Sequence, residues 1–142
     1  MNRIKINLPE QFSFSTHLQI RVTDLKYGGH VGNDTVLSIL QEARQQFLQS
    51  RGYAELRVEE YGLIMADAMV EYKKEMNHLD QIKIEIVATD FDKIGFDLYY
   101  RVMIQKNGEE ILAVRAKTGM MLFDYQLGKK VSMTEKIISV LQ

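Results

Sequence analysis

Only one long segment of this chain reads as helix, and it is too apolar to lie on an open surface. Residues 35–43, TVLSILQEA, carry apolar side chains on most sides of the helical circumference. Val36, Leu40, Ala43 and Phe47 recur at helical spacing, and Leu37, Ile39 and Leu48 widen the stripe. A helix of this kind has to be wrapped by other structure. Asn33 or Asp34 is a suitable N-cap, the helix runs to about Arg51, and Gly52 is placed to end it in a left-handed conformation.

The rest of the chain supplies strands to do the wrapping. In FSFSTHLQIRVT, residues 12–23, Phe14, Thr16, Leu18, Ile20 and Val22 share one face against Ser15, His17, Gln19 and Arg21. Residues 53–61 are charged and read as a short second helix or a loop. From 63 to 124 the pattern is strand throughout: LIMADAMVEYKKEM is the least regular, whereas QIKIEIVATDF and FDLYYRVMIQ alternate cleanly. Asn107-Gly108 marks a tight hairpin into ILAVRAKTGMMLFD, and SMTEKIISVL, residues 132–141, closes as an amphipathic helix. With one buried helix available, an antiparallel sheet of about five strands must bury its apolar face against it. The reading is α+β, a curved sheet around one long central helix.

Composition narrows the function classes. A chain of 142 residues fits one domain spanning 1–142, and a net charge of −1 provides no basic field for nucleic acid or an anionic membrane. The absence of cysteine excludes disulfides, thiolate nucleophiles and cysteine-ligated metals. The three histidines, His17, His30 and His78, lack metal-ligand spacing. No apolar run reaches the roughly 20 residues of a membrane span. The N-terminal MNRIKINLPE lacks an export signature, so the expected location is the cytoplasm.

The chemistry concentrates between the first strand and the helix, in DLKYGGHVGND, residues 24–34. Three glycines there imply a backbone that turns sharply or lets something approach closely. The helix start beyond them offers free N–H groups. His30 is the natural general base beside that helix end, although it can equally hold the turn through backbone carbonyls. Asn33 and Asp34 are explained by capping alone, but Asp34 is also a carboxylate within reach of His30 or of a water.

This arrangement resembles the hotdog-fold thioesterases of the 4-hydroxybenzoyl-CoA thioesterase type, which carry D-x-D-x-x-G-H-V-N-N followed by E-x-A-R on the central helix. The matching residues are Asp24, Gly29, His30, Val31, Asn33, Leu37, Glu42, Ala43 and Arg44. Lys26 stands where the family's catalytic carboxylate usually is. The resemblance implies a hydrolase of acyl-CoA or acyl-carrier-protein thioesters, homodimeric or homotetrameric, with no cofactor beyond coenzyme A within the substrate. On that basis His30, Asp34 and Asp24 are the expected catalytic set. Gly29, Asn33, Lys26 and Glu42 are the expected substrate contacts. The Asn33 N–H corresponds to the family's carbonyl-polarising donor, worth about 3 kcal/mol in an acyl-transfer transition state. Glu42 could reach a neighbouring subunit's site, and Lys26 a coenzyme A phosphate. Two other readings remain: a non-catalytic thioester-binding protein, favoured by Lys26, and a hydratase or dehydratase pairing His30 with Glu42.

Overall fold

The computed structural model describes all 142 residues. In chain order the elements are β1 (Phe14–Gln19), a 3-10 turn (Val22–Asp24), α1 (Asn33–Ser50), β2 (Gly62–Tyr72), β3 (Gln81–Thr89), β4 (Gly95–Lys106), β5 (Glu109–Asp124), β6 (Lys129–Lys130) and α2 (Glu135–Leu141). The strands form one antiparallel sheet in the order β1-β3-β4-β5-β2, and the two-residue β6 adds to β5. Alternation decides which face is buried. Ile82, Ile84 and Ile86 of β3 lie opposite Ile104, Val102 and Tyr100 of β4, and all six are sealed from solvent. Phe47, Leu40 and Leu48 of α1 close over them, each with no exposed surface.

Several local expectations hold for the stated reasons. Gly52 ends α1 at φ +81°, and Asn107 and Gly108 both take positive φ in the β4–β5 hairpin. Others are corrected. Neither Asn33 nor Asp34 caps α1: Gly32 is the N-cap residue, and it has no side chain to make a capping hydrogen bond. The helix is wrapped on one side only, since Leu37 keeps 37% of its surface and Ser38, Gln41 and Glu42 are exposed beside it. β1 stops at Gln19 because the Asp24 carboxylate accepts the Arg21 N–H at 2.8 Å and folds the chain into the 3-10 turn, leaving Val22 66% exposed. Of the two readings of residues 53–61, helix or loop, the structure has the loop. Ala54 with Arg57, and Val58 with Tyr61, exchange paired backbone hydrogen bonds in two tight turns. The closing helix begins at Glu135, where the Thr134 hydroxyl accepts the Ile137 N–H at 3.2 Å.

One polar group is built into the apolar contact. Arg44 points from α1 into the core with its side chain 7% exposed. Its Nε donates to Glu55 Oε1 at 2.7 Å and its Nη1 to the Tyr100 hydroxyl at 3.1 Å, which meets Thr118 Oγ1 at 2.8 Å. The network ties the helix, the loop after it, β4 and β5 together, and no buried side-chain nitrogen or oxygen in the protein lacks a partner. Periodicity places Arg44 next to the apolar stripe but says nothing of its burial.

A second fastening holds β2 to β5 across a bulge between Met65 and Asp67. Asp67 Oδ1 accepts from Lys117 Nζ at 2.8 Å and from the Gly119 N–H at 2.9 Å. A Cβ on Gly119 would come within 2.7 Å of that oxygen, which explains the glycine. The Lys117 bond, and behind it the Lys117 charge and the Gly119 N–H, hold the Asp67 carboxyl below its ordinary range against a smaller opposing effect of burial.

Two stability predictions follow from these contacts. Arg44→Ala leaves the Glu55 carboxylate unpaired and the Tyr100 hydroxyl with Thr118 alone, and is expected to cost about 3 kcal/mol in urea unfolding; an undiminished midpoint would show the network to be dispensable. Asp67, lowered in the folded state, contributes stability above the ordinary carboxylate pKa and loses it as pH falls through the folded value. Because its side chain is 60% exposed, Asp67→Ala should cost less than ~1 kcal/mol at neutral pH. The gap from the parent should close in acid melts below about pH 4. A gap that persists there would assign the effect to packing.

Candidate functional site

The segment between β1 and α1 is a closed turn stitched to a second stretch of chain. Leu25 bridges Val31, the Lys26 N–H donates to the His30 carbonyl at 2.9 Å, and the Gly29 N–H donates to the Lys26 carbonyl at 3.0 Å. Gly29 takes φ +82°, with nothing within 4 Å of where a Cβ would sit, so the turn's handedness and not lack of space requires glycine there. Close approach is the task of its neighbours. A Cβ on Gly28 would lie 3.2 Å from His30 Nε2, and one on Gly32 would strike Lys26 Cγ at 2.2 Å. His30 then bridges Asn77, and the Val31 N–H donates to the Met76 carbonyl at 2.9 Å, which locks the turn onto the segment following β2.

That lock creates a cavity of about 240 Å³ bordered by His30, Asn33, Val36, Tyr72, Glu75 and Met76, among others. His30 Nδ1 lies 3.3 Å from the Val31 carbonyl, and Nε2 lies 3.7 Å from Glu75 Oε1. With Nδ1–H directed at the carbonyl, Nε2 is the atom that carries the free lone pair. The Asn33 N–H opens α1 and finds no backbone acceptor within the chain, as expected of a first-turn donor. The Tyr72 hydroxyl donates to the Asn33 carbonyl at 2.8 Å, pinning this helix end to β2. Burial, and then the charge of Asp34, push the Tyr72 phenol up.

The seven residues singled out in the sequence therefore separate into groups. His30 and Asn33 share the cavity, and Gly29 shapes the turn behind it. Lys26 Nζ stands 3.2 Å from Asp34 Oδ2, and the Lys26 hydrogen bond holds the Asp34 carboxyl below its usual range. Asp34 is thus engaged by Lys26 and not by His30. Asp24 is turned the other way: its carboxylate bonds Arg21, while only its main-chain carbonyl receives the glycine turn, from the Gly32 N–H at 3.4 Å. Asp24 and Glu42 both line a separate groove of about 580 Å³ between β1 and α1. There Glu42 accepts from Gln46 at 2.8 Å, and Gln46 bonds Thr16. The His30–Glu42 pair that a hydratase reading requires is not assembled within this chain.

Tyr72 and Glu75 are absent from the sequence-based set. They lie in EYKKEM, and the His30–Asn77 bridge, the Val31–Met76 hydrogen bond and the Tyr72–Asn33 hydrogen bond bring them to the turn. No spacing along the chain signals that bridge. No group of three or more histidine or acidic side chains could hold a metal ion, and no helix is long and apolar enough to cross a membrane.

Residues 20–141 match the family model described as "Thioesterase-like superfamily". A curated relative from Aquifex aeolicus, described as "Putative esterase", is 26% identical over 133 residues, covering 92% of this chain and 98% of the relative. Among solved structures, the 1,4-dihydroxy-2-naphthoyl-CoA thioesterase Slr0204 from Synechocystis superposes with a TM-score of 0.79 at 18% identity, covering 90% of this chain and 94% of that one. A mutant 4-hydroxybenzoyl-CoA thioesterase complexed with 4-hydroxybenzoyl-CoA gives 0.82 at 14% identity, covering 91% and 98%. At such identities the structural likeness establishes the fold, a curved antiparallel sheet around a central helix as in the hotdog thioesterases. With that fold and a family match over residues 20–141, the chain belongs to the thioesterase-like superfamily.

Proposed function

We propose that this protein hydrolyses acyl thioesters of coenzyme A or of a carrier protein, with His30 as general base and the Asn33 N–H as oxyanion donor. The observation that carries the reading is the joint presence of His30 and the unpartnered N-terminus of α1 on one cavity. The thioester carbonyl lies at the helix end, where the N–H and the helix dipole favour developing negative charge. His30 Nε2 accepts a proton from water as the hydroxyl oxygen bonds to the carbonyl carbon. Collapse of the tetrahedral intermediate breaks the C–S bond, and the proton passes from His30 to the departing thiolate. The products are a carboxylic acid and the free thiol.

Lys26 does not replace the missing carboxylate in this scheme. An ammonium cannot take a proton from water, and its partner is Asp34. The non-catalytic alternative rests on that same departure; the His30–Asn33 arrangement favours hydrolysis, because binding alone does not need an imidazole beside a carbonyl-binding N–H.

The site also favours an assembly of at least two copies. β2 pairs with β5 alone, so its other edge is open, with residues 65–68 exposed along it. An uncovered edge strand of this length invites pairing with a second copy. Tyr72 and Val114 border the cavity near the end of that edge, where they pair in the β2–β5 register. A second copy joined along β2 would lengthen the cavity for the acyl group.

Release of free thiol from acetyl-, hexanoyl- and benzoyl-CoA tests the activity. His30→Ala is expected to lower kcat by about 10²–10⁴-fold with little change in KM; near-parental turnover would leave the mechanism without its base. Light scattering at micromolar concentration should give the mass of a dimer or tetramer, and a monomer would overturn the assembly.

A further inference from the structure

We propose that Glu75 is a positioning residue for His30, supplying from the segment after β2 the carboxylate that the β1–α1 turn lacks. The inference rests on the hydrolase reading and adds a group to it. Asp34 is held by Lys26 at 3.2 Å, Asp24 bonds Arg21, and Glu42 faces the groove on the β1 side. Glu75 is the one carboxylate that borders the cavity, and the one basic side chain within 4 Å of it is His30, 3.7 Å between Oε1 and Nε2. The neighbouring Lys73 is drawn to Glu71 instead, at 3.6 Å.

The separation suits a relay through water. At 3.7 Å the two atoms are beyond a direct hydrogen bond but can share one water molecule. The Val31 carbonyl directs the imidazole's Nδ1–H, leaving Nε2 to face the carboxylate. A water between them donates one proton to Nε2 and the other to Glu75, so both its protons are engaged and an oxygen lone pair is free for the carbonyl carbon. When Nε2 takes its proton, the imidazolium forms beside a carboxylate and is stabilised by it. Glu75 touches neither the acyl thioester nor the transferred proton; it holds the water for His30, and without the imidazole that water is not deprotonated. The backbone keeps the two residues adjacent, through the His30–Asn77 bridge and the Val31–Met76 hydrogen bond, while the Glu75 side chain itself is 71% exposed.

The test is a double-mutant cycle on thiol release from the same three acyl-CoA esters, with thermal melts confirming that every variant is folded. Glu75→Gln should lower kcat about tenfold or more with KM within about twofold, and Glu75→Asp should recover part of the loss. Because Glu75 acts through His30, Glu75→Gln should cost nothing further in a His30→Ala background. An equal loss in both backgrounds, a loss confined to KM, or parental kcat in Glu75→Gln would overturn the proposal while leaving the His30 mechanism intact. A parent that releases no thiol from any of the esters would overturn the hydrolase reading, and this one with it.

Discussion

Covering the concave face of the sheet falls to a single helix, and the position of every other feature follows from that. The isoleucines of β3 and the alternate residues of β4 have no other apolar partner of comparable length, so α1 must lie across them with Phe47, Leu40 and Leu48 inward. The demand fixes where α1 begins, because β1 must end, reverse and enter the helix at the edge of the same face. Thirteen residues, Ile20–Gly32, make the reversal. The helix N-terminus is thereby delivered to a defined point beside β2 with the Asn33 N–H unbonded. The site is a consequence of how the core is closed.

A helix held by hydrophobic contact alone can slide or rotate by small amounts at low cost, because burial is not directional. Arg44 removes that freedom. Its guanidinium has to meet Glu55 and Tyr100 together, and a shift of one helical position would leave that buried charge without its partners. The Tyr72 bond to the Asn33 carbonyl does the same at the helix end. A carbonyl-polarising N–H is useful only if its direction is set before substrate arrives. These polar ties contribute to that preorganisation as much as to stability.

What was legible in the sequence is what periodicity and turn chemistry encode. The Ile82, Ile84, Ile86 and Phe96, Leu98, Tyr100 alternations named the buried face, Asn107-Gly108 named the hairpin, and the Gly-His turn before an apolar helix located the cavity. Long-range pairing was not legible. That Arg44 is buried depends on Glu55, Tyr100 and Thr118, which no local pattern connects. The capping residues were misread because Asn33 and Asp34 are good caps by type, yet Gly32 was needed at that position to let Lys26 pass, and the helix start moved with it. The family resemblance groups Asp24 and Glu42 with His30, but within this chain the 3-10 turn and the helix place both on the groove between β1 and α1.

Lys26 has an electrostatic consequence that its loss of basicity conceals. Asp34 is the second residue of α1, and a free carboxylate in the first turn would use up the very field that the helix end offers an oxyanion. A carboxylate at position 26 would add a second negative charge next to it. The lysine instead neutralises Asp34 and draws it into a bond at 3.2 Å, while the stem of the same lysine lies against Gly32. In the proposed reaction the negative charge that develops on the carbonyl oxygen then meets the Asn33 N–H and the helix dipole without a competing anion. In the proposed mechanism, an ammonium in place of a carboxylate removes a base from the turn and strengthens the oxyanion site beside it. A chain that makes that exchange can keep hydrolysing thioesters only if proton acceptance moves elsewhere, and in this fold the group placed to take it over is the imidazole of His30.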